Sequence, residues 1–225
     1  MNIIQNYQAL ASTLPVHVQL VGVSKFHPEE AIYEAYQAGL KQFGESRVQE
    51  LVQKQAKLPK DIEWHFIGHL QTNKIKTVLP LVKMIQSLDS IHLIEAVEKE
   101  AAKMNIHVDG LLQVHIAQES TKFGFSMDEV KPFFHSELFH SLRFLHVVGL
   151  MGMATYTDDQ QQIRSEFKSL HRLFTEMKED VSRDERDFSV LSMGMTNDYL
   201  IAVEEGSTMV RIGTALFGLR PCALV

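Results

Sequence analysis

The sequence predicts a (β/α)8 barrel, a single TIM-barrel domain spanning residues 1–225, on three observations. Short apolar runs recur eight times, and longer stretches with helical spacing separate them. No Pro/Gly-rich linker, low-complexity stretch or internal repeat divides the chain. Strands that alternate with helices pair in parallel, because parallel neighbours need crossover connections. A doubly wound open sheet satisfies the same alternation, so the pattern alone leaves both architectures open.

The elements follow in order. Residues 1–13 form an extra N-terminal helix. The first strand, 18–25, carries Leu20-Val21-Gly22-Val23 and closes on Ser24-Lys25, and a helix over 28–39 follows. Strand 42–46 precedes helix 47–58, and strand 63–68, with Trp64-His65-Phe66-Ile67, precedes helix 72–82. After strand 84–88, helix 90–104 repeats Ile91, Ile94, Val97 and Ala101 on one face, with Glu95, Glu98, Lys99 and Lys103 elsewhere. Asp89 and Ser90 are its capping candidates. Strand 109–117 precedes helix 126–140, and strand 144–151 precedes helix 158–180. That helix places Ile163, Phe167, Leu170, Leu173, Phe174 and Met177 on one stripe, with Asp158 or Asp159 as its cap. Strand 187–193, helix 197–206, strand 208–213 and a short tail complete the chain.

Composition narrows the function. Hydrophobic residues make up 45% and charged residues 22%, an ordinary balance for a water-soluble fold. The net charge of -6, with no basic run, argues against a nucleic-acid partner, whose phosphates demand clustered Lys and Arg. Cys222 is the single cysteine, so an internal disulfide is excluded. Residues 1–14 lack the basic flank and apolar core of a secretory signal, and no apolar run approaches the roughly 20 residues that span a bilayer. The expectation is a cytoplasmic protein without a membrane partner.

In such a barrel the functional face lies beyond the C-terminal ends of the strands. Reading those positions gives Lys25, Glu45-Ser46, Gly68-His69, Ser87 with Asp89, Lys122, Met151-Gly152-Met153, Ser192-Met193-Gly194 and Arg211-Ile212-Gly213-Thr214. Strand alternation puts Val21, Val23 and Lys25 on one face, with the lysine at the barrel rim. Partial burial there disfavours the ammonium and frees the amine to attack an aldehyde. The competing reading is a rim lysine that snorkels to water or pairs with Glu45. Gly194 and Gly213 let backbone N–H groups approach an anion, Ser192 and Thr214 add hydroxyls, and barrels often bind phosphate after strands seven and eight. The alternative is a pair of tight turns with incidental glycines. Arg211, in an apolar strand, needs a buried acceptor: either the ring nitrogen of a bound pyridine or a structural carboxylate. A metal is not expected, since His65 and His69 lie roughly 13 Å apart along a strand. No other histidine spacing matches a metal motif.

Several segments together resemble the pyridoxal phosphate homeostasis protein family (YggS type). They are Val23-Ser24-Lys25, Phe43-Gly44-Glu45, Val48-Gln49-Glu50, Trp64 through Lys74, Gly149-Leu150-Met151, Ser192 through Met195, and Val210 through Ala215. The resemblance implies a barrel like the N-terminal domain of alanine racemase, of fold-type III, with pyridoxal 5′-phosphate as an internal aldimine on Lys25. It implies that Arg211 faces the pyridine nitrogen and that Ser192, Met193, Gly213 and Thr214 cradle the phosphate. Where the family commonly has Asn and Tyr after Gly-Glu, this chain has Ser46 and Arg47, and Ser46 stands in for the asparagine through water. The function implied is cofactor buffering and delivery, with PLP-dependent apoenzymes as partners. The protein is expected to be a non-enzyme and a monomer, without the C-terminal β-domain of alanine racemase. The alternative is a fold-type III amino-acid racemase or lyase, which needs a second acid/base group such as His69 or Lys122.

Overall fold

The structure, a computed structural model, describes residues 2–118, 123–181 and 187–219. Eight strands form one closed parallel barrel: β1 (Gln19–Val23), β2 (Gln42–Glu45), β3 (Glu63–Phe66), β4 (Met84–Leu88), β5 (Val108–Val114), β6 (Leu145–Gly152), β7 (Val190–Ser192) and β8 (Met209–Ile212). They pair in sequence order, and β8 closes on β1 with Val21 opposite Arg211. Closure removes the doubly wound alternative.

Alternation along the strands separates two apolar layers. Val21, Met84, Leu111, Val148, Met151 and Met209 fill the barrel interior. Leu20, Phe43, Trp64, Ile85, Leu112, Leu150 and Val210 point outward, into the larger core beneath the helices. Those helices are α1 (Ile3–Thr13), α2 (Glu29–Gln37), α3 (Val48–Lys57), α4 (Ile75–Val78), α5 (Ile91–Met104), α6 (Met127–Phe134), α7 (Glu137–Ser141), α8 (Gln160–Val181), α9 (Tyr199–Glu204) and α10 (Thr214–Phe217).

The predicted caps form. Ser90 Oγ accepts from Leu93 N at 3.3 Å, and Asp159 Oδ1 accepts from Gln161 N at 2.9 Å. The apolar stripe of α8 is buried as expected. In α5, Ile91 sits in the first turn and stays exposed, and Leu93 joins Ile94, Val97 and Ala101 in the core.

Among the elements whose bounds differ from expectation, three have local reasons. The helix over 126–140 divides because Ser136 caps a new one, its Oγ accepting from Phe139 N at 3.2 Å. The helix over 72–82 is a single α turn flanked by 3-10 turns at Thr72–Lys74 and Leu79–Leu81, with Pro80 in the second. β1 stops at Val23, so Lys25 lies in a turn rather than in the strand. Lys122 and Cys222 lie outside the described residues.

One glycine is fixed by close approach. β5 and β6 shift register at Val148, and a Cβ on Gly149 would overlap the carbonyl oxygen of Val190 on β7. Gly149→Ala therefore forces two backbones apart. Urea denaturation should show a loss of about 2 kcal/mol or more relative to wild type.

Candidate functional site

Arg211 points into the barrel from β8 and is 4% exposed. A buried guanidinium cannot shed its charge, so the neighbouring strands must supply oxygen acceptors. Nη1 donates to the Ser192 carbonyl at 2.9 Å and to Ser192 Oγ at 2.6 Å, and Nη2 donates to the Gly152 carbonyl at 3.0 Å. These contacts use three of the five guanidinium N–H donors, so donors remain for a ligand. Burial lowers its pKa to about 10, with Asp198 opposing the shift, so it stays a cation near neutrality. Among the described residues the hydrogen bonds of Arg211 go to neutral oxygens, and Asp198 acts on it as a nearby charge.

The contacts continue across the barrel in one direction. Ser192 Oγ donates to Gln86 Oε1 at 2.7 Å, and Gln86 Nε2 lies 2.8 Å from His65 Nδ1. With Gln86 donating, His65 accepts at Nδ1 and carries its proton on Nε2. Burial pushes the His65 pKa down to about 4, with nearby Lys83 adding to the effect. His65 is therefore neutral at pH 7. It borders a cavity of about 670 Å³ at the opposite, N-terminal mouth, beside Glu63, Lys83 and Asp109. Sequence reasoning missed both Gln86 and the role of His65.

At the C-terminal mouth the predicted segments converge. Gly194, at φ 97, turns the chain after β7; its carbonyl accepts from Arg211 N at 3.0 Å, and a Cβ there would meet Ala202 Cβ at 2.6 Å. Thr196 Oγ1 accepts from Ala215 N at 3.4 Å, joining the loops after β7 and β8. Among the described residues the backbone N–H groups of Gly194, Gly213 and Thr214 donate to no protein acceptor. That leaves a set of donors suited to an anion. Gly213 also borders the end of β1, where a Cβ would stand 3.3 Å from the Val23 carbonyl oxygen. Lys25 follows two residues later, half-buried, and Ser46 flanks the mouth from β2. Two expectations change. The Ser192 hydroxyl is engaged by Arg211 and Gln86, and Met193 buries its side chain and donates its N–H to the Met209 carbonyl at 3.1 Å.

Behind the Lys25 turn lies a charged cluster. Lys54 on α3 donates to Glu45 Oε1 at 2.6 Å, Glu50 Oε2 at 2.8 Å and the Ser24 carbonyl at 2.9 Å. Glu45 is thus claimed by Lys54, not held for Lys25. Burial raises the pKa of Glu45 despite Lys54, and its Oε2 has no hydrogen-bond partner among the described residues. Burial also acts to raise Glu50, but the Lys54 hydrogen bond and the Phe26 N–H outweigh it and lower that pKa. His69 stands at the rim, its Nδ1 2.7 Å from Asp89 Oδ2 and its ring stacked on Phe123 at 4.6 Å. Among the described residues no three His, Cys, Asp or Glu side chains could hold a metal.

The closed barrel, with a basic group inside it and anion donors at its C-terminal mouth, defines a domain of the alanine racemase N-terminal class. The sequence profile of that domain matches residues 1–221. The chain belongs to the pyridoxal phosphate homeostasis protein family. It is 42% identical over 207 residues to the pyridoxal phosphate homeostasis protein of Aquifex aeolicus (strain VF5), covering 90% of this chain and 87% of the relative. Among solved structures, PipY of Synechococcus elongatus PCC7942 without PLP superposes with a TM-score of 0.90 at 35% identity, covering 96% of this chain and all of PipY. PipY with PLP bound gives 0.86 at 34% identity. Alanine racemase of Clostridium difficile 630, at 12% identity and a TM-score of 0.77, shares the fold, with this chain covering 58% of its length.

The His65 shift predicts an acid limb in stability. Between pH 6.5 and about 4 the unfolded chain binds a proton that the folded one refuses, so stability falls as pH falls through that window. The loss is on the order of 3 kcal/mol. His65→Gln should flatten this limb when urea midpoints are compared across the window.

Proposed function

We propose that this protein holds pyridoxal 5′-phosphate reversibly on Lys25 and buffers or delivers it, as a carrier rather than an enzyme. The observation that carries the proposal is the Arg211 guanidinium, fixed by Ser192 and Gly152 inside the mouth that Lys25 borders. The names of the curated relatives and the PLP-bound PipY structure support it. When bound, the cofactor supplies an aldehyde that condenses reversibly with a primary amine.

In this proposal Lys25 provides that amine. The backbone N–H groups of Gly194, Gly213 and Thr214, with the Thr214 hydroxyl, bind the phosphate. Arg211 donates to the ring nitrogen. Ser192 fixes Arg211, Met193 packs its side chain in the outer core and so holds the chain between Ser192 and Gly194, and Ser46 contacts the ligand from the end of β2 through water. Because Arg211 stays protonated, it gives the ring nitrogen a hydrogen bond without giving up its proton. The ring is then a weak electron sink, which favours storage over chemistry at an amino-acid α-carbon. Racemisation also needs an acid/base group on each face; His69, oriented through Nδ1 by Asp89, is the group that the alternative reading, a racemase or lyase, would have to use. The proposal extends to PLP-dependent apoenzymes as recipients and to a cytoplasmic monomer. No helix among the described residues is long and apolar enough to cross a membrane.

Borohydride reduction of cofactor-loaded protein, followed by peptide mass mapping, should give one adduct, on Lys25. Lys25→Ala should retain no reducible cofactor after desalting. Adducts scattered over surface lysines would reject the site. Substantial α-proton exchange from amino acids in deuterium oxide, abolished by Lys25→Ala, would instead establish a racemase or lyase.

A further inference from the structure

Lys25 is flanked by two residues that the same buried cluster holds from behind. On its N-terminal side, Ser24 donates its hydroxyl to Glu45 Oε1 at 2.7 Å and gives its carbonyl to Lys54 Nζ at 2.9 Å. On its C-terminal side, Phe26 donates its backbone N–H to Glu50 Oε2 at 2.8 Å. Lys54 Nζ ties these contacts together by donating to both carboxylates, and its three ammonium protons are matched by three acceptors. The side chains of Glu45, Lys54 and Glu50 are 0%, 6% and 19% exposed, so water screens the cluster weakly.

The turn it holds is one that the sequence does not favour. Phe26 has φ 67, a left-handed conformation that a bulky side chain adopts only when its surroundings impose it. The Arg47 guanidinium covers the Phe26 ring at 4.4 Å, and His27 stacks on Phe217 of α10 at 4.9 Å. Strain of this kind beside a chemically active residue is a mark of a chain held for function.

We infer that Glu45, Glu50 and Lys54 are positioning residues that fix the Ser24–Phe26 backbone and so aim the Lys25 amine into the mouth of the barrel. The inference rests on the cofactor assignment above and adds to it: the cluster controls attachment at the lysine and leaves phosphate binding alone. An amine on a fixed stem reaches the aldehyde without first being ordered, and loss of that alignment slows covalent attachment.

Removing Lys54 would strand the buried Glu45, and such a variant risks not folding. Glu50 is the safer probe, since it leaves the Lys54–Glu45 pair in place. Glu50→Ala should speed deuterium exchange at the Phe26 amide in cofactor-free protein. It should also slow covalent capture of pyridoxal 5′-phosphate by about tenfold or more, while affinity for pyridoxine 5′-phosphate, which has no aldehyde, stays within about twofold. Glu50→Gln, which keeps an acceptor for the Phe26 N–H, should restore capture. Unchanged capture in Glu50→Ala, or equal loss for both ligands, overturns the positioning role. Wild-type protein that captures no cofactor overturns the cofactor assignment and this inference together.

Discussion

A fixed positive charge enclosed in a parallel barrel sets the terms for the rest of this molecule. Arg211 cannot neutralise itself, and an ion without partners in a low-dielectric interior is destabilising by several kcal/mol. The barrel answers with neutral oxygens from strand ends, the carbonyls of Gly152 on β6 and Ser192 on β7. Among the described residues its hydrogen bonds thus go to neutral oxygens, with Asp198 acting on it as a nearby charge. That choice also consumes the Ser192 hydroxyl, which must then donate onward to Gln86, and Gln86 to His65. The chain of donors ends on a neutral imidazole, because burial and the nearby Lys83 disfavour a second cation there. Strands β3, β4, β6, β7 and β8 are thus linked by one polar network alongside the apolar side chains of the interior.

The two lysines around the β1 turn are separated by their surroundings. Lys54 enters the outer layer between α3 and the barrel, where two carboxylates and a carbonyl take all its protons. Lys25 lies two residues beyond the end of β1, at the mouth that Gly213 and Val23 bring together. The first serves the backbone; the second, in the proposed function, serves the ligand. The glycine after β7 fits the same logic, since a Cβ at Gly194 would collide with Ala202 of α9 and displace the loop that carries its N–H.

Much of this was legible in the sequence. Eight apolar runs between helical stretches suffice to count the strands, and Ser90 and Asp159 announce helix starts through local hydrogen bonds. Local signals fail where a boundary depends on competition. Ser136 interrupts a periodic helix by capping a new one, and β1 ends before Lys25 because its pairing with β2 ends at Val23. Of the polar interior, Arg211 and Ser192 were legible, but Gln86 and the role of His65 were not. Gln86 meets Ser192 across 106 positions of sequence, a contact that only barrel closure creates. The Glu45–Glu50–Lys54 cluster left one visible trace, the i,i+4 spacing of Glu50 and Lys54 on a helix just after Glu45.

The central claim is that Arg211 and Lys25 address opposite sides of one ligand in the C-terminal mouth. A crystal structure of the protein soaked with pyridoxal 5′-phosphate tests it most directly. The account predicts density continuous with Lys25 Nζ, the ring nitrogen within hydrogen-bonding distance of Arg211, and the phosphate on the N–H groups of Gly194, Gly213 and Thr214. Ligand density at the opposite, His65-bordered mouth, or a ring turned so that the phosphate meets Arg211, would contradict it.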